Sequence, residues 1–174
     1  MRVTLIRHAE AGDDAASDEA RSLTKRGRED ARRLGRALAR RGVAFSLMVS
    51  SPLVRAVQTA EIVAAEIGYR ERLTVTELLV PDGAASRVLA WLKAAGRDLD
   101  RLPSIALVAH EPILSAVAAL LIGKARYPPL KKAEALRIRI GGSSEASPSA
   151  SPASPEGRGI LRWRVDARGQ REQL

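Results

Sequence analysis

Short apolar runs of strand character alternate along this chain with longer segments of helical character. Met1 to Ile6 reads MRVTLI, Phe45 to Val49 reads FSLMV, and Ser104 to Ala109 reads SIALVA. Runs this short and this rich in β-branched and apolar residues suit buried strands. Between the first two, Thr24 is a good N-cap for a helix reaching Arg41 and closed by Gly42. Ala31, Leu34 and Leu38 give that helix an apolar stripe, with Arg28, Arg32, Arg36 and Arg40 on the other side. Ser51 as N-cap and Pro52 at the first helical position open a second helix, which runs to Ile67 and stops at Gly68. Arg72 to Thr76 reads as a third strand ending at Glu77, followed by a Pro81-Asp82-Gly83 turn and a helix over Ala85 to Ala95. After SIALVA, Pro112 opens an apolar helix through Ile122, stopped by Gly123. This alternation predicts a three-layer α/β/α sandwich around a mostly parallel central sheet.

The C-terminal part has a different pattern. Ala133 to Ile140 alternates apolar residues with Arg137 and Arg139, as a half-exposed strand does. Residues 141–159 are rich in Gly, Ser and Pro and are expected to be flexible. Alternation resumes over Ile160 to Val165, so the simplest arrangement is a hairpin with a long tip. At 174 residues, a single domain over 1–174 is expected, with residues 141–159 as a loop inside it.

Composition narrows the function. With 45% hydrophobic and 28% charged residues, the chain has a soluble, globular profile. No apolar stretch approaches the ~20 residues needed to cross a bilayer. The N-terminus begins at once with a strand rather than a signal peptide, which predicts a cytoplasmic protein. There is no cysteine, which excludes disulfides and thiolate metal sites. The net charge is +9, and all but five of the 29 basic residues are Arg. That balance suits an anionic partner and equally suits Arg on solvated helix faces. Aromatic residues are 3% of the chain, too few for a base-stacking platform, so no nucleic-acid partner is expected.

Four polar groups fall at or just beyond four predicted strand ends: Arg7-His8, Arg55, Glu77 and His110. In a parallel sheet those ends share one edge, where ligands of open α/β sheets bind. Two Arg and two His around one point suit a tetrahedral dianion. One neutral imidazole can attack phosphorus, while the Arg pair and the second His, if protonated, neutralise the equatorial oxygens. Glu10 and Glu111 follow the two histidines, but the spacing matches neither HExxH nor a carboxylate triad, so no metal and no other cofactor is expected.

LIRHAE, the Leu23-Thr24-x-x-Gly27 pattern, SSPLVRAVQTAE and VAHEP together resemble the histidine phosphatase superfamily, the phosphoglycerate-mutase-like proteins. The blocks span residues 1–122 and look most like the small SixA-type phosphohistidine phosphatases. The resemblance implies that His8 is the nucleophile, forming a phosphohistidine intermediate. It implies phosphate binding by Arg7, Arg55 and His110, and general-acid catalysis by Glu77. The sequence departs from the family in Ala9, where Gly is usual, and in LLVPDG after Glu77, which matches the larger members poorly. Residues 78–103 leave little room for the insertion that caps larger members, so no large cap domain and an open mouth are expected.

An open mouth favours a phosphorylated protein over a small molecule. The expected activity is metal-independent dephosphorylation of phosphohistidine in proteins. The alternatives are a phosphatase of small esters, such as sugar or nucleotide phosphates, and a non-catalytic basic binding module.

Overall fold

The computed structural model describes residues 1–98, 104–140, 159–169 and 171–172. The expected flexible loop of residues 141–159 lies outside these, apart from Gly159. The elements are β1 (Arg2–Arg7), α1 (Lys25–Ala39), β2 (Leu47–Ser50), α2 (Val54–Ile67), β3 (Thr74–Val75) and α3 (Ala85–Asp98). After them come β4 (Ser104–Ala109), α4 (Ile113–Ile122), β5 (Glu134–Ile140), β6 (Gly159–Asp166) and β7 (Arg171–Glu172). A single 3₁₀ turn, Glu77–Leu79, follows β3.

The sheet has the order β3-β2-β4-β1-β5-β6-β7. β1 to β4 pair in parallel, and β5, β6 and β7 extend the sheet antiparallel. The central strands β1 and β4 are buried on both faces, as parallel strands covered by helices must be. Val3 and Leu5, with Ile105 and Leu107, pack against Leu89 and Leu92 of α3 and Leu114 and Val117 of α4. Ile6, Ala106 and Val108 face the other way, onto Leu34 and Leu38 of α1 and Ala60 and Val63 of α2. This period of two within each strand divides the core between two helical layers. The fold is therefore the expected α/β/α sandwich, and no cap domain lies among the described residues.

Four local expectations need correction. Ser51 is not a helix N-cap and Pro52 is not the first helical residue: α2 starts at Val54, with Leu53 as a cap lacking a side-chain bond. The second strand begins at Leu47 rather than Phe45. The third is reduced to Thr74–Val75, and Glu77 opens the 3₁₀ turn. β5 is not half-exposed, because β6 covers it as an interior strand and buries Arg137 along with its apolar residues. The β5–β6 pairing shifts register between Arg137 and Ile138, which changes the faces that β6 presents. As a result Arg164 is buried and Ile160 is 49% exposed.

The buried charges of the hairpin are paired. Arg164 donates to both carboxylate oxygens of Glu134, at 2.6 and 2.8 Å, and to the Pro129 carbonyl at 2.8 Å. Glu134 also accepts from the Lys131 backbone N–H at 2.5 Å. This bidentate pair fixes the 129–134 segment against the sheet. Ala133, in that segment, holds a φ of 52° and donates its N–H to the His8 carbonyl at 3.2 Å. Left-handed backbone at a non-glycine residue costs energy and persists only where its surroundings impose it.

The positive charge of α1 is largely solvated. Arg33 pairs with Glu29 and Arg36 with Glu66 on exposed faces, where such pairs contribute little. Among the described residues no helix is long and apolar enough to cross a membrane.

Candidate active site

β1 delivers Arg7 and His8 to the carboxyl edge of the sheet, and its neighbour β4 delivers His110. The His8 N–H donates to the Ala109 carbonyl at 3.0 Å, continuing the ladder one step past the strand. The two imidazoles therefore meet, with ring centroids 5.0 Å apart and planes inclined by 52°. His8 is 8% exposed and His110 is 2% exposed.

Arg55 reaches this point from the first turn of α2 and is itself buried. Thr59, one turn later, sets the helix against β1. Its hydroxyl donates to the Arg55 carbonyl at 2.7 Å and accepts from the Ala9 N–H at 3.1 Å. On the opposite side α1 comes unusually close. Thr24 caps it by accepting from the Gly27 N–H, and the Thr24 N–H donates to the Glu10 carbonyl. A Cβ on Gly27 would stand 2.0 Å from that carbonyl oxygen. The Leu23-Thr24-x-x-Gly27 pattern is thus a close contact between α1 and the backbone just after His8.

The ring nitrogens have distinct surroundings. His8 Nδ1 lies 2.6 Å from the Ala9 carbonyl oxygen. A carbonyl only accepts, so Nδ1 carries the proton and the lone pair of neutral His8 is on Nε2. His110 Nε2 lies 2.9 Å from the Ser51 hydroxyl, while its Nδ1 is buried without a protein partner. Arg7 donates from Nη1 to the Leu130 carbonyl at 2.6 Å, and its Nε is likewise buried and unpaired. Glu111 steadies the same loop by accepting from the Leu130 N–H at 2.8 Å. Two unsatisfied nitrogens in one polar cluster mark a place that an oxyanion can complete.

Burial lowers the His8 pKa to about 4, helped by the charges of Arg55, Arg7 and Lys132 and opposed by the Ala9 hydrogen bond. Burial also lowers His110 to about 3, with His8 and Arg55 adding to the effect. Both rings are therefore neutral at pH 7 in the ligand-free site. The protonated form of His110, in which it would add to the neutralising charge, is disfavoured by this desolvation and by the nearby Arg charges. The consequence is measurable. In an NMR titration of the free protein, the His8 and His110 ring protons should show no midpoint near the reference ~6.5. They should shift only as the pH falls towards about 4 and about 3. Midpoints near the reference ~6.5 would contradict the lowering by burial, and midpoints above ~7 would remove the argument for neutral rings.

Arg7, His8, Arg55 and His110 form one cluster, as their positions at strand ends imply. Glu77 does not join it by any direct bond. It is exposed, at the start of the 3₁₀ turn, beside a cleft of about 650 Å³ that it shares with Asp18, Glu19, Leu53 and Asp82. Ser51, Thr59 and Asp18 are the contributors that sequence reasoning passed over. Ser51 reads as a helix cap and Thr59 as an ordinary helix residue, and nothing local in the sequence links Asp18 to Arg55.

Known proteins share the sequence pattern and the fold. The family description "Histidine phosphatase superfamily (branch 1)" matches residues 3–80. The chain is 31% identical to the phosphohistidine phosphatase SixA of Escherichia coli K12, over 70% of this chain and 74% of that protein. A solved protein histidine phosphatase SixA in complex with tungstate superposes with a TM-score of 0.82 at 25% identity. That match covers 96% of this chain and 97% of that one. The alpha-ribazole phosphatase of Shigella flexneri shares the fold at 21% identity, with a TM-score of 0.68 and coverage of 93% and 95%. The ordered motifs, the cluster they build and the extent of the SixA match establish that the chain belongs to the histidine phosphatase superfamily, as a phosphatase.

Proposed function

We propose that this protein is a cytoplasmic, metal-independent phosphatase that removes phosphate from phosphohistidine in proteins. The observation that carries the chemistry is the neutral His8 ring, with Nδ1–H tied to the Ala9 carbonyl and Nε2 free to attack. In the first step Nε2 forms a bond to phosphorus as the substrate's P–N bond breaks. The departing imidazole nitrogen takes a proton, from Glu77 or from water. In the second step water attacks the phosphorus on His8, the Nε2–P bond breaks and inorganic phosphate leaves.

Arg7, Arg55 and His110 neutralise or hydrogen-bond the phosphoryl oxygens throughout. A neutral His110 whose Nε2 accepts the Ser51 hydroxyl proton keeps its own proton on Nδ1, the buried nitrogen without a protein partner. The donors are thus set before the substrate arrives, which is where electrostatic catalysis gains most.

Two features favour a protein substrate. The absence of a cap among the described residues leaves the mouth accessible to a folded partner. Beyond Glu10 a second groove of about 910 Å³, bordered by Lys25, Arg26, Lys131 and Lys132 and also by Glu29, Asp30 and Asp166, offers further surface. The 31% identity to the Escherichia coli phosphohistidine phosphatase supports the same reading. A phosphoramidate also leaves readily once its imidazole is protonated, which suits a site whose proposed general acid, Glu77, is exposed.

A hydrolysis panel tests the proposal. The purified protein is given a phosphohistidine-bearing protein, a phosphoserine peptide, a sugar phosphate and an aryl phosphate, with and without EDTA. The phosphohistidine protein should have a kcat/KM at least ~10-fold above the others, about 1.4 kcal/mol in transition-state binding, with no effect of EDTA. Preference for the sugar phosphate would overturn the protein substrate, and loss of activity in EDTA would overturn the metal-free mechanism.

A further inference from the structure

The Asp18 loop touches the proposed phosphate site in a way that the reaction itself does not require. The buried Arg55 guanidinium donates from Nη1 to the Asp18 backbone carbonyl at 2.6 Å and from Nη2 to Asp18 Oδ2 at 2.8 Å. The other carboxylate oxygen, Oδ1, accepts from Arg21 Nη1 at 2.9 Å. Arg21 in turn donates from Nε to the Gly12 carbonyl at 2.8 Å and from Nη2 to Asp13. The Asp18 carboxyl is held below the usual carboxylate range by the hydrogen bonds of Arg55 and then Arg21, so it stays charged.

The loop is also fastened to the scaffold. The Val54 N–H, next to Arg55, donates to the Glu19 carbonyl at 3.0 Å, and the Leu23 N–H donates to Gln58 of α2 at 2.8 Å. The Gly12 N–H donates to the Ser22 carbonyl at 3.0 Å, and Ala11 bridges to Leu23.

We propose that Asp18, locked by Arg21, is a positioning residue that aims Arg55 at the phosphoryl group. This inference rests on the phosphatase reading above. A guanidinium has five N–H donors in a rigid plane, so fixing two of them on Asp18 sets the direction of the other three. A carboxylate this close also repels a phosphate dianion. The two contacts to Arg55 and the multiple attachments of the loop indicate a strut, in which the gain in orientation outweighs that repulsion. A carboxylate acting as a plug in the phosphate site would give the opposite sign on removal.

The test is a cycle of variants, read by calorimetric binding of inorganic phosphate and by kcat/KM. Asp18→Ala should weaken both by about 10–100-fold, the scale of a misdirected catalytic group. Asp18→Asn can offer a single side-chain oxygen, serving either Arg55 or Arg21, and should fall between Asp18→Ala and the wild type. In an Arg55→Ala background, Asp18→Ala should cost nothing further, because it acts through Arg55. Arg21→Ala should show a smaller loss that does not multiply with that of Asp18→Ala. A thermal melt on each variant separates these effects from unfolding. Tighter phosphate binding by Asp18→Ala, unchanged binding, or full multiplication with Arg55→Ala would overturn the inference while leaving the phosphatase reading intact. A wild type that neither binds phosphate nor hydrolyses any substrate of the panel would overturn both.

Discussion

His8→Ala is expected to lower turnover by at least ~10⁴-fold while leaving the protein folded and able to bind phosphate. Removal of an attacking side chain from a preorganised site typically costs orders of magnitude more than removal of a donor, because the covalent path is lost outright. The cysteine-free chain has no thiol that can substitute. Arg7, Arg55 and His110 remain in the variant, so phosphate binding measured by calorimetry should persist. Among the described residues the His8 ring meets one aromatic group, His110, and its Nδ1 bond runs to its own neighbour, Ala9. Its loss therefore leaves the sheet ladder at the Ala109 carbonyl intact. Substantial residual activity in His8→Ala would mean that water attacks phosphorus directly.

Arg55→Ala should be the next most damaging change, lowering kcat/KM by about 10²–10³-fold, or about 2.7–4 kcal/mol, as for one oxyanion donor. Arg55 is buried and its charge is felt at both histidines, so it lies within the field of the site. Arg55→Lys should not restore the rate. A single ammonium cannot hold both Asp18 acceptors and still present a fork to the phosphate. Both variants should also raise the His8 pKa in the direction of its reference value, Arg55→Ala more than Arg55→Lys, because a repelling cation is removed or displaced. A variant with wild-type kcat/KM would take Arg55 out of the phosphate site.

Much of the sandwich is legible in the chain because its central strands announce themselves. SIALVA is apolar on both faces and becomes β4, buried on both faces, with the predicted bounds. Gly68 and Gly123 close their helices at φ near 69°, the conformation that a glycine stop signals. The cluster is legible for the same reason: residues just past parallel strands share an edge whatever the loops do, so Arg7, His8 and His110 follow from strand ends alone. What escapes is non-local. Arg137 and Arg164 look like solvent-facing residues of an alternating strand. A register shift and a covering neighbour bury them, and Glu134, paired with Arg164 from 30 positions away, carries no mark of that partnership. Ser51 has the residue type of a cap, yet its hydroxyl serves His110 across 59 positions. Asp18 reads as one more polar loop residue until α2 places Arg55 against it.

Phosphate transfer is expected to pass through His8. Its most direct test is to mix the protein with a phosphohistidine-bearing protein labelled on phosphorus, quench within the first turnovers into alkali, where phosphohistidine survives, and map the label by mass spectrometry. Label is expected on His8, at Nε2, and on no residue of the His8→Ala variant. Turnover by the wild type with no covalent label, or with the label on His110, would contradict it.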